Sequence, residues 1–265
     1  MANTKELRVR IKSVNSTLQL TKAMGLVASS KIRRANEGMY KAREYVKSLE
    51  KSVSLLTSSP DCLKSPYMRQ GETQRTKIIV IAGDRGLAGG YNANVFRLCA
   101  QFLDAEFIPI GKRACERFSK PVVSSEKYYF KDANDLAEKL CNDFVENKFD
   151  RLGIIYTKYI SVMSAEPQIK WILPFEKGDS SDATVVFEPD HLTVLNSVAR
   201  EYVAGMLISY IRESFASEVA ARRMAMDSAG KNAKQMIEDL SLEYNRARQG
   251  AITQEITEIV AGSGN

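Results

Sequence analysis

Residues 7–56 read LRVRIKSVNSTLQLTKAMGLVASSKIRRANEGMYKAREYVKSLEKSVSLL, and apolar or small residues recur in them at alternating steps of four and three. The recurrence is unbroken from Leu7 to Leu56, which is typical of a helix that packs along a partner helix. No proline occurs before Pro60, where the pattern ends. We therefore predict one helix over residues 1–58. At ~1.5 Å per residue its patterned part is roughly 75–80 Å long, which is too long to be buried in a small globule.

The other end of the chain offers the partner. No proline occurs from His191 to Ala261, and the same rhythm continues there through Met226, Gly230, Ala233, Ile237, Leu240, Tyr244, Ala247 and Ala251. The apolar positions then drift to Ile252, Ile256 and Ile259. We predict a second helix over residues 191–265, antiparallel to the first. Because it is the longer of the two, its end should project as a single helix.

The middle of the chain, residues 75–190, predicts an α/β domain. Short apolar runs indicate strands, and helical stretches near 94–103 and 132–147 alternate with them. The strand candidates are Ile78–Ala82, Phe107–Ile110, Pro121–Val123 and Gly153–Thr157, with a possible edge strand over Pro167–Pro174. The predicted fold class is thus α/β: a long antiparallel coiled coil of the terminal helices with an inserted, Rossmann-like domain built on a mostly parallel sheet.

Composition and charge limit the function classes. The 265 residues are 44% hydrophobic and 26% charged, which excludes a mostly disordered chain and a disulfide-stapled mini-protein. No apolar run is long enough for a transmembrane helix, and no signal peptide is expected. The net charge is +6, and residues 1–51 alone carry twelve Lys or Arg against four Glu. The basic excess across residues 7–36 predicts an acidic partner for the first helix, although a solvated helix flank has the same pattern.

Metal, cofactor and catalytic motifs are weak. Four widely spaced cysteines and one histidine do not form a zinc motif, so reduced thiols are expected. Residues 83–92, GDRGLAGGYN, follow the first strand, where a nucleotide loop would lie, but they match neither a P-loop nor GxGxxG. We interpret these glycines as allowing a tight turn, and His191 as a helix-edge residue. We expect no cofactor, no metal and no catalytic site.

Several motifs together resemble those of F-type ATP synthase γ subunits. They are the N-terminal TKAMGLVASSK (residues 21–31), the loop from Gly83 to Asn94, SEVAAR (217–222), and the C-terminal YNRARQGAITQEITEIVAG (244–262). The C-terminal run is the most specific, and the motifs extend over the whole chain. The resemblance implies a non-catalytic rotor of one copy per complex. Its coiled coil turns inside an α3β3 ring, and its α/β domain meets the ε subunit and the c-ring. Rotation then couples proton or sodium flow to ATP synthesis or hydrolysis at the β subunits.

The resemblance also implies contact residues. Lys31, Arg33 and Arg34 match basic positions that face an acidic lever of β, while Met24 and Arg222 match positions where the shaft packs on β. The C-terminal residues that the resemblance implies as contacts to catch loops of the ring are Arg248, Gln249, Thr253 and Glu255. Glu188 is expected near the c-ring and ε, although Val185 and Val186 beside it depart from the aromatic-rich family pattern.

Other departures suggest a mechanical hypothesis. Gly25, Gly230 and Gly250 replace residues that favour helices more strongly, so the shaft should be torsionally softer than usual. Ser263 and Asn265 depart from the usual C-terminus. The expected location is the cytoplasmic face of a bacterial plasma membrane, with a peripheral attachment; an organellar origin stays open.

Two other functions stay open on the residues alone. The α/β domain could be a nucleotide-dependent enzyme with helical arms, which predicts stoichiometric binding of ATP or NAD. The basic first helix could instead clamp a nucleic acid, which predicts binding that weakens steeply with salt. Aromatic residues do not interleave with the basic ones, which argues against a single-stranded target.

Overall fold

The computed structural model describes residues 4–69, 71, 75–178 and 187–262. Its regular elements are, in chain order, α1 (Thr4–Thr57), two short 3-10 helices (Pro60–Lys64 and Pro66–Met68), β1 (Thr76–Ile81), α2 (Tyr91–Cys99), β2 (Glu106–Ile110), α3 (Lys112–Arg117), α4 (Phe130–Val145), β3 (Arg151–Tyr159), β4 (Ala165–Leu173) and α5 (His191–Gly262). Residues up to Ala28 and from Arg223 onward form one compact unit, and Ser29–Arg222 form a second. The boundary between the two units falls inside α1 and inside α5. The division of the chain into domains at residues 58, 75 and 190 stays a prediction.

The first unit is an antiparallel helix pair. Arg8 on α1 donates a hydrogen bond to the hydroxyl of Tyr244 on α5 at 2.9 Å, and Gly25 lies against Met226. Residue numbers therefore rise along one helix as they fall along the other. The predicted apolar positions form the buried seam of this pair, which confirms the pattern; among them are Leu7, Leu18, Thr21, Ala28, Met226, Ala233 and Leu240.

The last turns of α5 extend past their partner. Because Arg8 lies opposite Tyr244 and α1 begins at Thr4, α5 leaves the described part of α1 about one turn after Tyr244. Ile252, Ile256 and Ile259 beyond that point are 45–70% exposed. The projecting single helix that the sequence predicts is therefore present.

The second unit contains a four-stranded mixed sheet in the order β2-β1-β3-β4. Strand β1 pairs in parallel with both β2 and β3, whereas β4 runs antiparallel to β3 at the edge. The sequence predicted these four strands, including the edge strand. Parallel central strands place their carboxyl ends, and the loops that follow them, at one edge of the sheet.

Helices cover both faces of this sheet. One face packs against α4, the second half of α1 and the stretch of α5 from Leu195 to Ile211; Phe144 and Leu207 lie fully buried there. The other face packs against α2 and α3. Because both faces are covered, β1 is a continuous apolar run and not an alternating one.

Two local predictions need correction. Pro121–Val123 is not a strand, because its backbone groups bond to the α3 segment: the carbonyl of Val123 accepts from Gly111 N–H, and its own N–H contacts the Cys115 sulfur. The short helix α3 was not predicted, and its six residues are too few for a periodic signal. No helix among the described residues carries an apolar stretch long enough to cross a membrane.

Candidate functional site

Two of the predicted basic residues of α1, Lys31 and Arg34, line a groove in the second unit. The groove encloses about 680 Å³ and is lined by Ser30, Lys31, Arg34, Ala35, Glu37, Gly38, Lys41, Glu126, Arg212 and Phe215. Four of these side chains are cationic and two are anionic, so the lining is net positive. Sequence analysis identified Lys31 and Arg34 but missed Lys41 and Arg212, which the fold brings together.

The three predicted cations are not equally available. Lys31 is bonded to Glu126 at 2.7 Å, and Arg85 approaches the same carboxylate at 3.5 Å. The hydrogen bond from Lys31 is the main reason that the pKa of Glu126 lies below its ordinary value. Arg33 is exposed and lies 3.6 Å from Glu37 one turn away. Arg34 is also exposed, and unlike Arg33 it lines the groove, so it can meet an acidic surface there.

Arg222 faces its own chain. Its guanidinium pairs with Glu218 and donates to the carbonyl oxygens of Arg85 and Gly86 at 3.3–3.5 Å. Only 13% of its side chain is exposed. Burial raises the pKa of Glu218, and Arg222 opposes that shift. The sequence predicted Arg222 as a residue of the shaft surface, but the structure shows it also fixing the loop after β1.

The other predicted contact residues lie on exposed helix or loop surfaces. Arg248, Gln249, Thr253 and Glu255 are exposed on the last turns of α5, whereas Met24 is half-buried on α1. Glu188 is exposed just before α5, in a segment where Asp190 caps the helix by accepting from Thr193 N–H at 2.9 Å. Val185, Val186, Ser263 and Asn265 lie outside the described residues.

The loop after β1 is held by Asp84. Its carboxylate accepts hydrogen bonds from Ser124 and from the N–H groups of Lys112, Ser125 and Glu126 at 2.9–3.1 Å. Burial works against ionisation of Asp84, but these hydrogen bonds outweigh it and lower the pKa. Leu87 and Gly89 adopt positive φ, so the chain turns sharply before α2, as the glycine-rich sequence predicts.

The crevice at the carboxyl ends of β1 and β3 is filled by α5. This crevice is where a doubly wound domain binds a nucleotide. Here Glu213, Ser214, Ser217 and Glu218 occupy it, and all four are at least 95% buried. A side chain at Gly83 would approach the Glu218 carboxyl carbon to 2.7 Å. Sequence analysis quoted Ser217 and Glu218 within the SEVAAR motif but missed the burial of all four residues, because polar residues in a long helix look like a solvated face.

No metal-binding group appears in the described part of the chain. No cluster of three or more His, Cys, Asp or Glu side chains is arranged there to hold an ion. The four cysteines are buried free thiols.

Comparisons with known proteins extend over the whole chain. A family model described as "ATP synthase" matches residues 3–264. An ATP synthase gamma chain from Ruminococcus albus is 42% identical, with 100% of this chain and 99% of the relative covered. Another from Psychrobacter sp. is 34% identical, with 99% of each chain covered.

Solved structures share the fold. A chain from the Euglena gracilis mitochondrial ATP synthase, in an assembly of OSCP, F1 and c-ring, aligns with a TM-score of 0.71 at 17% identity over 98% of this chain and 93% of that chain. A chain from the central stalk and c-ring of the Tetrahymena thermophila enzyme gives 0.62 at 20% identity, with 79% and 99% covered.

Proposed function

The chain belongs to the family of ATP synthase γ chains, and from that premise we propose that it acts as the rotating central shaft of an F-type ATP synthase. The observation that carries this proposal is the helix pair of the first unit, whose α5 continues as a single helix with Ile252, Ile256 and Ile259 exposed. Exposure of these apolar side chains to water is unfavourable, and they would be buried if this end of α5 were surrounded by other subunits.

The partners we assign follow the surfaces described above. The exposed end of α5, with Arg248, Gln249, Thr253 and Glu255, contacts the inside of an α3β3 ring. The basic groove, with Lys31 and Arg34 in its lining, and the neighbouring Arg33 face an acidic segment of a β subunit. Charge complementarity of this kind speeds the association of the two surfaces, and salt weakens the attraction by screening it. Met24 lies on the shaft surface toward β, and Glu188 lies toward the c-ring and the ε subunit.

Arg222 has a double role in this proposal. Its guanidinium is already engaged with Glu218 and with the loop carbonyls of residues 85 and 86. A β subunit that packs against this part of the shaft therefore meets the outer edge of a fixed arginine and not a freely moving side chain. Such a side chain loses little conformational entropy on contact.

The proposed role is non-catalytic, and two features support it. The crevice between β1 and β3 is occupied by α5, which leaves no space there for a nucleotide in the enzyme alternative. The Gly83 loop also lacks the lysine that would hold a phosphate. Rotation of this chain, in one copy per complex, couples ion flow to ATP synthesis or hydrolysis carried out on the β subunits, at the cytoplasmic face of a bacterial plasma membrane.

A rotation assay tests the proposal. The chain is assembled with the α and β subunits of the same organism, the ring is fixed to a surface, and a bead is attached to the α/β domain. We expect unidirectional rotation on addition of MgATP. An assembly that hydrolyses ATP while the bead only fluctuates would contradict the rotor role. Salt-sensitive binding of nucleic acid, or tight stoichiometric binding of ATP to this chain alone, would favour one of the two alternatives.

A further inference from the structure

The polar side chains that fill the crevice connect three elements of the second unit. The side chains of Glu213, Ser214, Ser217 and Glu218 all project from two consecutive turns of α5 toward the ends of β1 and β3. We call these four residues, together with Arg43, Thr157 and Tyr159, the crevice joint. Its hydrogen bonds involve α1, β3 and α5, and Glu218 adds the loop after β1.

One end of the joint ties α1 to β3 through Glu213. The Glu213 carboxylate accepts from Tyr159 N–H at 3.0 Å and pairs with Arg43 at 2.6 Å. Arg43 also donates to the Tyr159 carbonyl oxygen at 2.8 Å. The hydrogen bond to Glu213 is the main reason that the pKa of Arg43 lies above its ordinary value. Because only 5% of the Glu213 side chain is exposed, water competes little for these bonds.

At the centre of the joint, α5 bonds to the part of β3 that extends past its last pairing with β1. Thr157 N–H donates to the Ser214 hydroxyl at 3.1 Å, and the Ser217 hydroxyl donates to the Thr157 carbonyl at the same distance. Both backbone groups of one β3 residue are thus bonded to α5. In addition, the Tyr91 hydroxyl at the start of α2 donates to the Ser214 carbonyl at 3.0 Å.

The other end of the joint holds the loop after β1. Glu218 lies against Gly83, where an added Cβ would be 2.7 Å from its carboxyl carbon, and it pairs with Arg222, which donates to the loop carbonyls of residues 85 and 86. Asp84 fixes the far side of the same loop to residues 112 and 124–126. The loop cannot shift along α5 without breaking these bonds.

The remaining contacts between α5 and the sheet are mainly apolar. Leu195, Val203, Leu207 and Ile211 belong to the same buried apolar cluster as Ile79 of β1 and Ile154 of β3. Apolar burial is strong but not directional, so it resists separation far more than it resists sliding. Hydrogen bonds depend on distance and angle, and buried charge-assisted ones most of all. The joint therefore sets the register between the sheet and the long helices.

The structure assigns the crevice joint a mechanical role: it transmits torque between the α/β domain and the helices α1 and α5. The inference rests on the proposed rotor function. Both helices continue beyond this unit, α1 back to Thr4 and α5 on to Gly262, so a load on the domain reaches the rest of the shaft only through contacts to these helices and the chain connections. Other doubly wound domains bind a nucleotide in this crevice. In this chain the crevice is filled by side chains of α5.

The test compares loaded and unloaded behaviour of the assembled complex. Glu213→Gln with Glu218→Gln keeps the side-chain shape and replaces both carboxyl groups by amides. The bead is attached through Leu103→Cys on the α/β domain, a site that is 87% exposed, whereas the native cysteines are buried. We expect the unloaded rate of ATP hydrolysis to stay unchanged and the stall torque in magnetic tweezers to fall. An unchanged stall torque would overturn the proposal.

A matched control exists on the same helix. Glu238→Gln with Glu243→Gln makes the same two replacements at the same five-residue spacing, at exposed positions. This variant should keep the wild-type stall torque. An equal loss in both variants would overturn the proposal, because it would show that helix charge matters and not the joint. A wild-type complex that fails to rotate would contradict the rotor function itself, so the two failures are distinguishable.

A gentler variant guards against misfolding. Ser214→Ala with Ser217→Ala removes only the two hydroxyls that bond Thr157, and it should also lower the stall torque. A wild-type stall torque in this variant, in a complex that still hydrolyses ATP, would count against a mechanical role.

Discussion

Two glycines in the helix pair give the sharpest stability prediction. Gly25 and Gly230 lie inside α1 and α5, respectively. A Cβ at Gly25 would lie 3.6 Å from the Cβ of Met226, and one at Gly230 would lie 3.7 Å from the Thr21 hydroxyl oxygen. Both distances are ordinary van der Waals contacts, so alanine fits at each position without movement. We therefore predict that Gly25→Ala with Gly230→Ala stabilises the pair.

The magnitude follows from helix propensity. Alanine is favoured over glycine within a helix by about 1 kcal/mol, chiefly because glycine loses more backbone entropy. Two such sites sum to about 2 kcal/mol if they act independently. That free energy corresponds to a roughly 30-fold smaller population of locally opened helix pair.

Hydrogen exchange on the full chain measures this effect. Amides of the pair, residues 4–28 and 223–251, should exchange more slowly in the double variant, while amides of the sheet should not change. Gly250→Ala is the control, since no atom lies within 4 Å of its Cβ, and it reports propensity without a helix–helix contact. Unchanged or faster exchange in the double variant would refute the inference that the seam has room for both methyl groups.

The same double variant tests the softness hypothesis. If these glycines make the shaft torsionally compliant, the stabilised pair should twist less under a given torque in a single-molecule measurement. Equal torsional stiffness in the wild type and the variant would refute the hypothesis, even if stability rises as predicted.

Three further outcomes follow from the second unit. Gly111→Ala should destabilise the chain by about 2 kcal/mol or more, because φ is +102° and its Cβ would lie 1.9 Å from a backbone carbonyl oxygen. A denaturation midpoint equal to that of Gly38→Ala, where nothing is within 4 Å, would contradict this. Asp84 has a lowered pKa, so the stability it contributes is present above its unfolded pKa of about 3.9 and is lost as pH falls through the folded value. Asp84→Asn should lower the free energy of unfolding by about 1–3 kcal/mol at neutral pH. It should also reduce the loss of stability as the pH falls, and an unaltered pH dependence would refute that role. Arg34→Glu should slow association with the α3β3 ring at low salt, and the difference should shrink as salt is raised. Lys47→Glu, an exposed charge of α1 outside the groove, is its control; equal slowing in both would contradict a specific groove contact.

The sequence predicts most of the fold because its elements leave strong periodic signals. The seam from Leu7 to Leu56 is buried or half-buried at each step in the structure, and the apolar runs of β1 and β3 became central strands. The false strand at Pro121–Val123 shows the limit of this approach. A short apolar run has no periodicity that would distinguish a strand from a loop. Here the backbone groups of Val123 bond to the α3 segment and not to a neighbouring strand.

The site was less predictable, for a different physical reason. Motif matches identify residues such as Arg34 and Arg222 one at a time, but they do not show which charges neutralise one another. Lys31 is partly neutralised by Glu126, 95 residues away in the sequence, and Arg222 is bound to its own loop. Glu213 and Glu218 carry no local signal of burial, because only the fold makes them buried.

Native mass spectrometry shows whether this chain forms the single shaft of an α3β3 ring. The chain is mixed with the α and β subunits of the same organism, and the masses of the intact complexes are measured. We expect one complex of three α, three β and one copy of this chain. A chain that stays alone, or that forms a homodimer in the presence of both subunits, would contradict it.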